Sequence, residues 1–391
     1  QVLLSDAEEY RKAAVVRERL GTLQGGSLVL LEGEAWRERR RTLQSGFGPE
    51  PVAAVGSLTA RRAVDAVEGW PTDRVVRVDE AMRDLSLSVL AKALFGLDLD
   101  GGGTPIHDAA DDVLARMDMQ SPSTYLPEWV PTPTNRRFRA AVAALHDRLD
   151  ETVAARDPAD SGSSSAHPSD LLSVMLSAGL PAETVRDELI AFLFAGFDST
   201  ATALSCTLGL LASHPSVQSD LHAELDDELA GATPTPADLD DLPFLDAVVR
   251  EAVRLYPPQY VLFREPTTTV SLQGYRVDRG TMVVVPPWIL HRDPRYWETP
   301  DAFQPERWLD ENGDDADAVG VDGDRPEYAY LPYGAGPRHC LGMRLARQTL
   351  RLIVAVVCQR RRLERDAAPT VSAGPTLSLD GGVELHAHRR G

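Results

Sequence analysis

Tyr333-Gly334-Ala335-Gly336-Pro337-Arg338-His339-Cys340-Leu341-Gly342 is followed at once by a helical run from Met343 to Arg362. A cysteine set between glycines and just ahead of a helix has its sulfur near backbone N–H groups and the positive end of a helix dipole, which lowers the thiol pKa and favours thiolate. Such a thiolate can ligate iron. Gly334, Gly336 and Gly342 let backbone or a flat ligand approach where a β-carbon would block it. Arg338, just upstream of the cysteine, is placed to meet an acidic group of that ligand. The alternative is a small buried hydrophobe at a loop-helix junction, the commoner fate of a lone cysteine.

The whole decapeptide resembles the haem-binding loop of the cytochrome P450 family, F-x-x-G-x-R-x-C-x-G, with Tyr333 where the family usually has Phe. Three further motifs stand in the family's order. On the helix predicted across Gly33 to Arg41, Trp36 and Arg40 share a face, so an indole N–H and a guanidinium can grip one carboxylate. Alone this reads as a basic solvated face; beside the cysteine loop it resembles the family's W-x-x-x-R, whose residues contact a haem propionate. The longest predicted helix, Ala182 to Ser213, ends at His214-Pro215 and carries Ala195-Gly196-Phe197-Asp198-Ser199-Thr200 at its centre. An acid and two hydroxyls inside an apolar helix are locally inconsistent, and such conflicts tend to mark function. The small pair lets a flat macrocycle pass close, the hydroxyls are expected to open the helix locally, and the set resembles the family's A-G-x-D/E-T-T with Ser199 in place of the first threonine. Glu251-Ala-Val-Arg254 resembles the E-x-x-R helix, and Arg307 supplies the third member of its Glu-Arg-Arg cluster. At that spacing a lone pair is ordinarily exposed and of small worth; the resemblance gives the cluster the structural task of holding the cysteine loop.

Elsewhere the pattern predicts a strand over Gln1 to Leu4, a helix over Asp6 to Arg19 capped by Ser5, and helices over much of Pro51 to Leu97, Asp108 to Met119 and Asn135 to Ala155. Val270 to Val285 reads as hairpin strands, and Thr370 to His386 as a last hairpin whose turn near Leu377 and Ser378 reaches the cavity. Asp157 to Asp170 and the acidic insert Asp310 to Pro326 read as solvated loops, the latter lacking an EF-hand's closing glutamate. His291 reads as structural.

The net charge of −19 argues against nucleic acid as a global partner. Lys12 and Lys92 are the only lysines, and abundant surface aspartate suits a halophilic source, an acidic mesophile being the alternative. Three unpaired cysteines favour a reducing cytoplasm, with Cys206 and Cys358 in the core. No run of eighteen apolar residues appears, so no transmembrane helix is expected.

The resemblance spans nearly the whole sequence, lacking only the family's first helix and strand. It implies one mainly helical domain over 1–391 with small β-sheets, haem b held by Cys340, and a thiolate that favours O–O cleavage and insertion of one oxygen atom into an apolar small molecule. Asp198, Ser199 and Thr200 would supply protons. Trp36, Arg40, Arg338 and Arg264 would neutralise propionates, and Ala195, Gly196, Tyr333, Gly334 and Gly342 would touch the macrocycle. Leu28, Phe192, Tyr260, Val261, Leu262 and Leu377 are the expected substrate contacts. Electrons would come from a separate acidic ferredoxin or flavodoxin docking on Arg37, Arg39, Arg41, Arg344, Arg347 and Arg351, unless these arginines merely pair with surface carboxylates. The protein is expected to be a monomer. A peroxygenase using hydrogen peroxide and a non-enzymatic haem sensor are the alternatives; the first typically lacks the acid-alcohol pair, and the second needs no proton relay.

Overall fold

The computed structural model describes residues 1–99, 105–118, 121–156, 170–309, 326 and 328–390. Twelve helices are seen among them: α1 Ala14–Gln24, α2 Gly33–Gln44, α3 Pro49–Glu68, α4 Val78–Phe95, α5 Pro105–Met117, α6 Pro133–Ala155, α7 Leu171–Ser177, α8 Ala182–Ser213, α9 Pro215–Leu229, α10 Pro243–Leu255, α11 Pro287–Leu290 and α12 Met343–Arg360. Ten short strands accompany them: β1 Tyr10–Lys12, β2 Val76–Arg77, β3 Leu262–Pro266, β4 Val270–Leu272, β5 Tyr275–Val277, β6 Val283–Val285, β7 Arg361–Glu364, β8 Val371–Ala373, β9 Leu377–Leu379 and β10 Glu384–Arg389. The sheets have strand orders β1-β3-β6, β2-β10-β7, β4-β5 and β8-β9, every pair antiparallel. A mainly helical fold with small sheets is what the sequence predicts.

Helix α8 organises the rest. Its bounds are the predicted ones, because a residue before proline is pushed out of the α region and the chain stops at His214-Pro215. It is long and apolar enough to cross a membrane by length and composition, but most of that span is buried inside the protein, as suits a core helix that is apolar all round. Its first half, Val185 to Phe197, packs into one apolar core with α4, α5, α6 and α7. Its second half, Ala201 to Ala212, packs into another with α3, α9, α10 and α12. The acid-alcohol residues fall where one core gives way to the other.

The N-terminus departs from expectation. Gln1 to Ser5 forms turns instead of a strand, and the expected helix from Asp6 starts only at Ala14, after β1. Strand β1 pairs with β3, placing Lys12 opposite Arg264. Glu265 of β3 then accepts from Arg11 Nε at 2.7 Å, Arg17 at 3.0 Å and the Ala14 N–H at 2.9 Å, so a distant carboxylate marks the start of α1. At the other end, the hairpin is β8-β9 with its turn at Gly374 to Thr376, while β10 leaves to pair with β7 and β2. Strand β6 likewise joins β3, not β5; β4-β5 is a hairpin turned at Gln273-Gly274, both at positive φ. The segments expected as loops at 157–169 and 310–325 lie outside the described residues.

Candidate active site

A cavity opens between the centre of α8 and the start of α12. Cys340, Leu341, Gly342, Leu345 and Thr349 line one wall; Ala195, Gly196, Ser199 and Thr200 line the other. Trp36, Arg40 and Arg338 close one edge, and Leu28, Val29 and Phe192 bound the apolar remainder. Tyr260, Val261, Leu262, Arg264 and Leu377 lie outside this lining. Leu262 joins instead a small apolar cluster with Leu3 and Leu331, and Tyr260 donates its hydroxyl to the Gly374 carbonyl at 2.9 Å.

The cysteine loop is held by its own backbone. Cys340 N–H donates to the Tyr333 carbonyl at 2.9 Å, closing the loop, and Gly334 and Gly336 take φ of 73° and 67°. A β-carbon on Gly336 would run into the Leu3 carbonyl oxygen, so only glycine fits there. Tyr333 is pushed well above the usual phenol range by burial, so its extra hydroxyl stays neutral. The thiol runs against the local expectation: burial raises Cys340, and the Gly342 N–H and the Arg40 charge only partly oppose that. Cys340 is open to the cavity yet deep within the protein, a setting in which a bound cation would favour its thiolate.

Four cations converge at the edge opposite the apolar end. The Arg338 guanidinium stacks 4.5 Å from the Trp36 ring centroid and Arg40 5.7 Å from it. Arg40 also donates to the His339 carbonyl at 3.1 Å, and Arg338 to the Leu31 carbonyl at 2.9 Å. Arg264 and Lys12, paired across β3 and β1, complete the set. Burial depresses all four, and the charge of Arg338 adds to the depression of Arg40, Arg264 and Lys12; Lys12 is pulled down to about 7, first by burial, then by Arg264 and Arg338. Glu32, in contact with Arg338, is the carboxylate that opposes them. One carboxylate facing four half-buried cations is a site short of negative charge, and a flat ligand carrying two carboxylates supplies what is missing. The residues present therefore fit haem. Lys12 was absent from the sequence-derived set, although it is one of only two lysines in the chain. That rarity was the available signal.

Behind the loop, the E-x-x-R pair is fully buried rather than exposed. Arg254 donates to both Glu251 oxygens at 2.8 Å, Arg307 Nε adds a third bond at 3.0 Å and Trp308 Nε1 a fourth at 2.9 Å. Arg254 also donates to the carbonyls of His291 and Pro300, each at 2.7 Å. His291 carries the tether onward: its Nε2 accepts the Leu331 N–H at 2.7 Å, which leaves Nδ1 to donate to the Arg254 carbonyl at 3.1 Å. Leu331 leads directly into Tyr333, so the network ends on the cysteine loop. His291 is structural, as expected, and burial holds it down to about 3.

That depression has a sign. The unfolded histidine titrates near 6.5, so stability supplied by the neutral ring is complete above that pH and drains away as pH falls toward about 3. Unfolding free energies of wild type and His291→Gln should therefore converge over that window, by up to about 1.4 kcal/mol per pH unit. A constant difference across it would assign the acid sensitivity to other groups.

The acid-alcohol residues hold a surprise. Helix α8 runs unbroken through them, and Ser199 Oγ donates back to the Ala195 carbonyl at 2.6 Å, so the expected local opening is absent. Ser199 and Thr200 face the cavity, but Asp198 points elsewhere. Gly196 packs close to α4: a β-carbon there would lie 2.8 Å from Leu90 Cδ1, which would have to shift.

The Cytochrome P450 family model matches residues 1–378. The chain belongs to the cytochrome P450 family. Cyclooctat-9-en-7-ol 5-monooxygenase of Streptomyces melanosporofaciens is 34% identical over 93% of this chain and 78% of its own length. Cyclooctatin synthase of the same organism is 29% identical over 98% of this chain and 82% of its own. The protein LUTEIN DEFICIENT 5 of Arabidopsis thaliana is 28% identical over 98% and 66%. The chain is thus a cytochrome P450 monooxygenase, an enzyme whose cofactor is haem. In this P450, haem would be held by Cys340 at the iron, with Arg40, Arg338, Arg264 and Lys12 at the carboxylate edge. When bound, thiolate-ligated haem supplies the oxygen-activating chemistry. The chain's own groups would do the rest: the apolar wall would exclude water, the cations would fix the ligand's orientation, and Ser199 and Thr200 line the cavity wall opposite Cys340.

Proposed function

We propose that this P450 carries haem b and uses molecular oxygen with electrons from a separate ferredoxin or flavodoxin-type protein to insert one oxygen atom into an apolar small molecule. The observation that carries the reading is the pairing of Cys340 and the acid-alcohol hydroxyls across one apolar cavity. Leu28, Val29, Ala191 and Phe192 offer a substrate mostly dispersion and burial. A compact apolar alcohol is favoured as a first substrate class by the likeness to an enzyme named for cyclooctat-9-en-7-ol. A monomer in the cytoplasm is the setting of this proposal.

The docking face needs revision from its sequence outline. Arg39 turns inward to the buried Glu188 at 2.7 Å, and Arg347 and Arg351 pair with Asp246 at 3.3 and 3.4 Å. Arg37 is exposed but already paired with Glu8 at 2.6 Å and Glu34 at 3.0 Å, so the exposed Arg41 and Arg344 are the residues assigned here to an acidic donor. Incubation with the alcohol, oxygen and a reduced ferredoxin or flavodoxin should yield a product one oxygen heavier, and Arg344→Glu should raise the donor's KM severalfold at low salt, the gap closing as salt screens it. Turnover with hydrogen peroxide alone, at the same rate and without a donor, would establish the peroxygenase instead.

A further inference from the structure

Glu188, Ala191, Phe192, Ala195 and Ser199 form one stripe along α8 at three- and four-residue spacing, and all of them line the haem cavity. Glu188 is the charged member. It stands two turns, about 10 Å, from Ala195 toward the start of the helix, at the apolar end of the cavity where Leu28 and Val29 lie. Its side chain is fully buried. One oxygen is used twice: Oε1 accepts the Leu28 N–H at 2.8 Å and an Arg39 N–H at 2.7 Å. The other, Oε2, is buried and has no hydrogen-bond partner among the described residues. Burial pulls the carboxyl upward, and the Leu28 N–H and Arg39 act against that pull. An unpaired oxygen in such a place is costly, because nothing replaces the water it gave up, and protein interiors pair such atoms as a rule.

We propose that Glu188 Oε2 is the anchor for a substrate hydroxyl, so that the enzyme selects apolar molecules carrying one hydroxyl and holds them with the opposite end toward the haem. The proposal rests on the monooxygenase reading above and narrows its substrate class. The anchored group has to be a donor, since an ionised carboxylate only accepts. A hydroxyl suits it better than an ammonium does: Arg39 already neutralises Glu188, and a second cation would be buried with no charge left to meet it. The neighbours Leu28, Val29, Ala191 and Phe192 ask for hydrocarbon over the rest of the molecule. Two hydroxyls that line the same cavity, Ser86 on α4 and Thr349 on α12, also lack partners, but each can donate as well as accept. They would hold a ketone as readily as an alcohol. Glu188 would not.

The test is binding to the haem-loaded protein, measured by calorimetry without turnover, of one skeleton with four head groups: decahydro-2-naphthol, 2-decalone, 2-aminodecalin and decalin itself. Wild type should bind the alcohol on the order of tenfold more tightly than decalin, the ketone no more tightly than decalin, and the amine no more tightly than the alcohol. In Glu188→Gln the amide oxygen keeps the Leu28 and Arg39 bonds and the amide nitrogen takes the place of Oε2, so a free acceptor becomes a donor. The preference for alcohol over ketone should then vanish. A variant that folds and keeps that preference overturns the proposal. Wild type decides the matter even if the variant fails to fold: a ketone bound as tightly as the alcohol, an amine bound far more tightly, or an alcohol bound no better than decalin each overturns it. Because these constants need neither oxygen nor an electron donor, wild type that discriminates as expected yet makes no product with any donor overturns the monooxygenase reading and leaves Glu188 as a ligand anchor.

Discussion

Cys340→Ser should abolish the strongly red-shifted Soret band of the dithionite-reduced, carbon monoxide-bound protein and bring turnover to background. Serine keeps the size of the side chain but offers a hard oxygen in place of a soft, electron-donating sulfur. The loop itself should survive, because the Cys340 N–H bond to Tyr333 and the glycine conformations do not involve the sulfur. Haem content should fall far less than activity, since the cation cluster still grips the carboxylate edge. A serine variant that retained the red-shifted band would remove Cys340 as the ligand and the monooxygenase mechanism with it.

The second large effect is expected at Glu251. Its carboxylate receives Arg254, Arg307, Trp308 and the Gln304 N–H, and it is fully buried. Glu251→Gln leaves the Arg254 guanidinium buried without its counter-charge, a change that costs about 3–5 kcal/mol in comparable settings. A domain has about 5–15 kcal/mol to lose. Urea unfolding should therefore show a sharply lower midpoint, and the protein should be recovered with little haem, since Arg254 also orders the carbonyls that lead through His291 to the cysteine loop. Leu331 is the last residue of that path before the loop. If Glu251→Gln unfolded and loaded as wild type does, the tether would be decorative.

How much of this could be read from residues alone follows physical range. The bounds of α8 were readable because proline and apolar periodicity act within a few residues. The cysteine loop was readable because three glycines and an arginine act locally too. The start of the chain was not: β1 exists because Glu265 and Arg264, some 250 residues away, give it a partner, and no local pattern encodes that pairing. The Cys340 thiol was misjudged in direction, since dipole and N–H effects are local while burial is set by the whole fold. The family-like motif sets Asp198 beside Ser199, and the helix turns them toward different spaces.

The strand pairing that sets Lys12 against Arg264, with Arg338 and Arg40 nearby, also bears on the life of the protein in a cell. Like charges held together by the fold make the ligand-free chain the less stable form, and a dianionic ligand relieves that repulsion in addition to whatever it gains from its own contacts. Chains that have not received their cofactor are then opened more often and meet proteases more often. Cofactor loading should then leave the chain more resistant to proteolysis, and part of that protection should come from relieving the repulsion at Lys12.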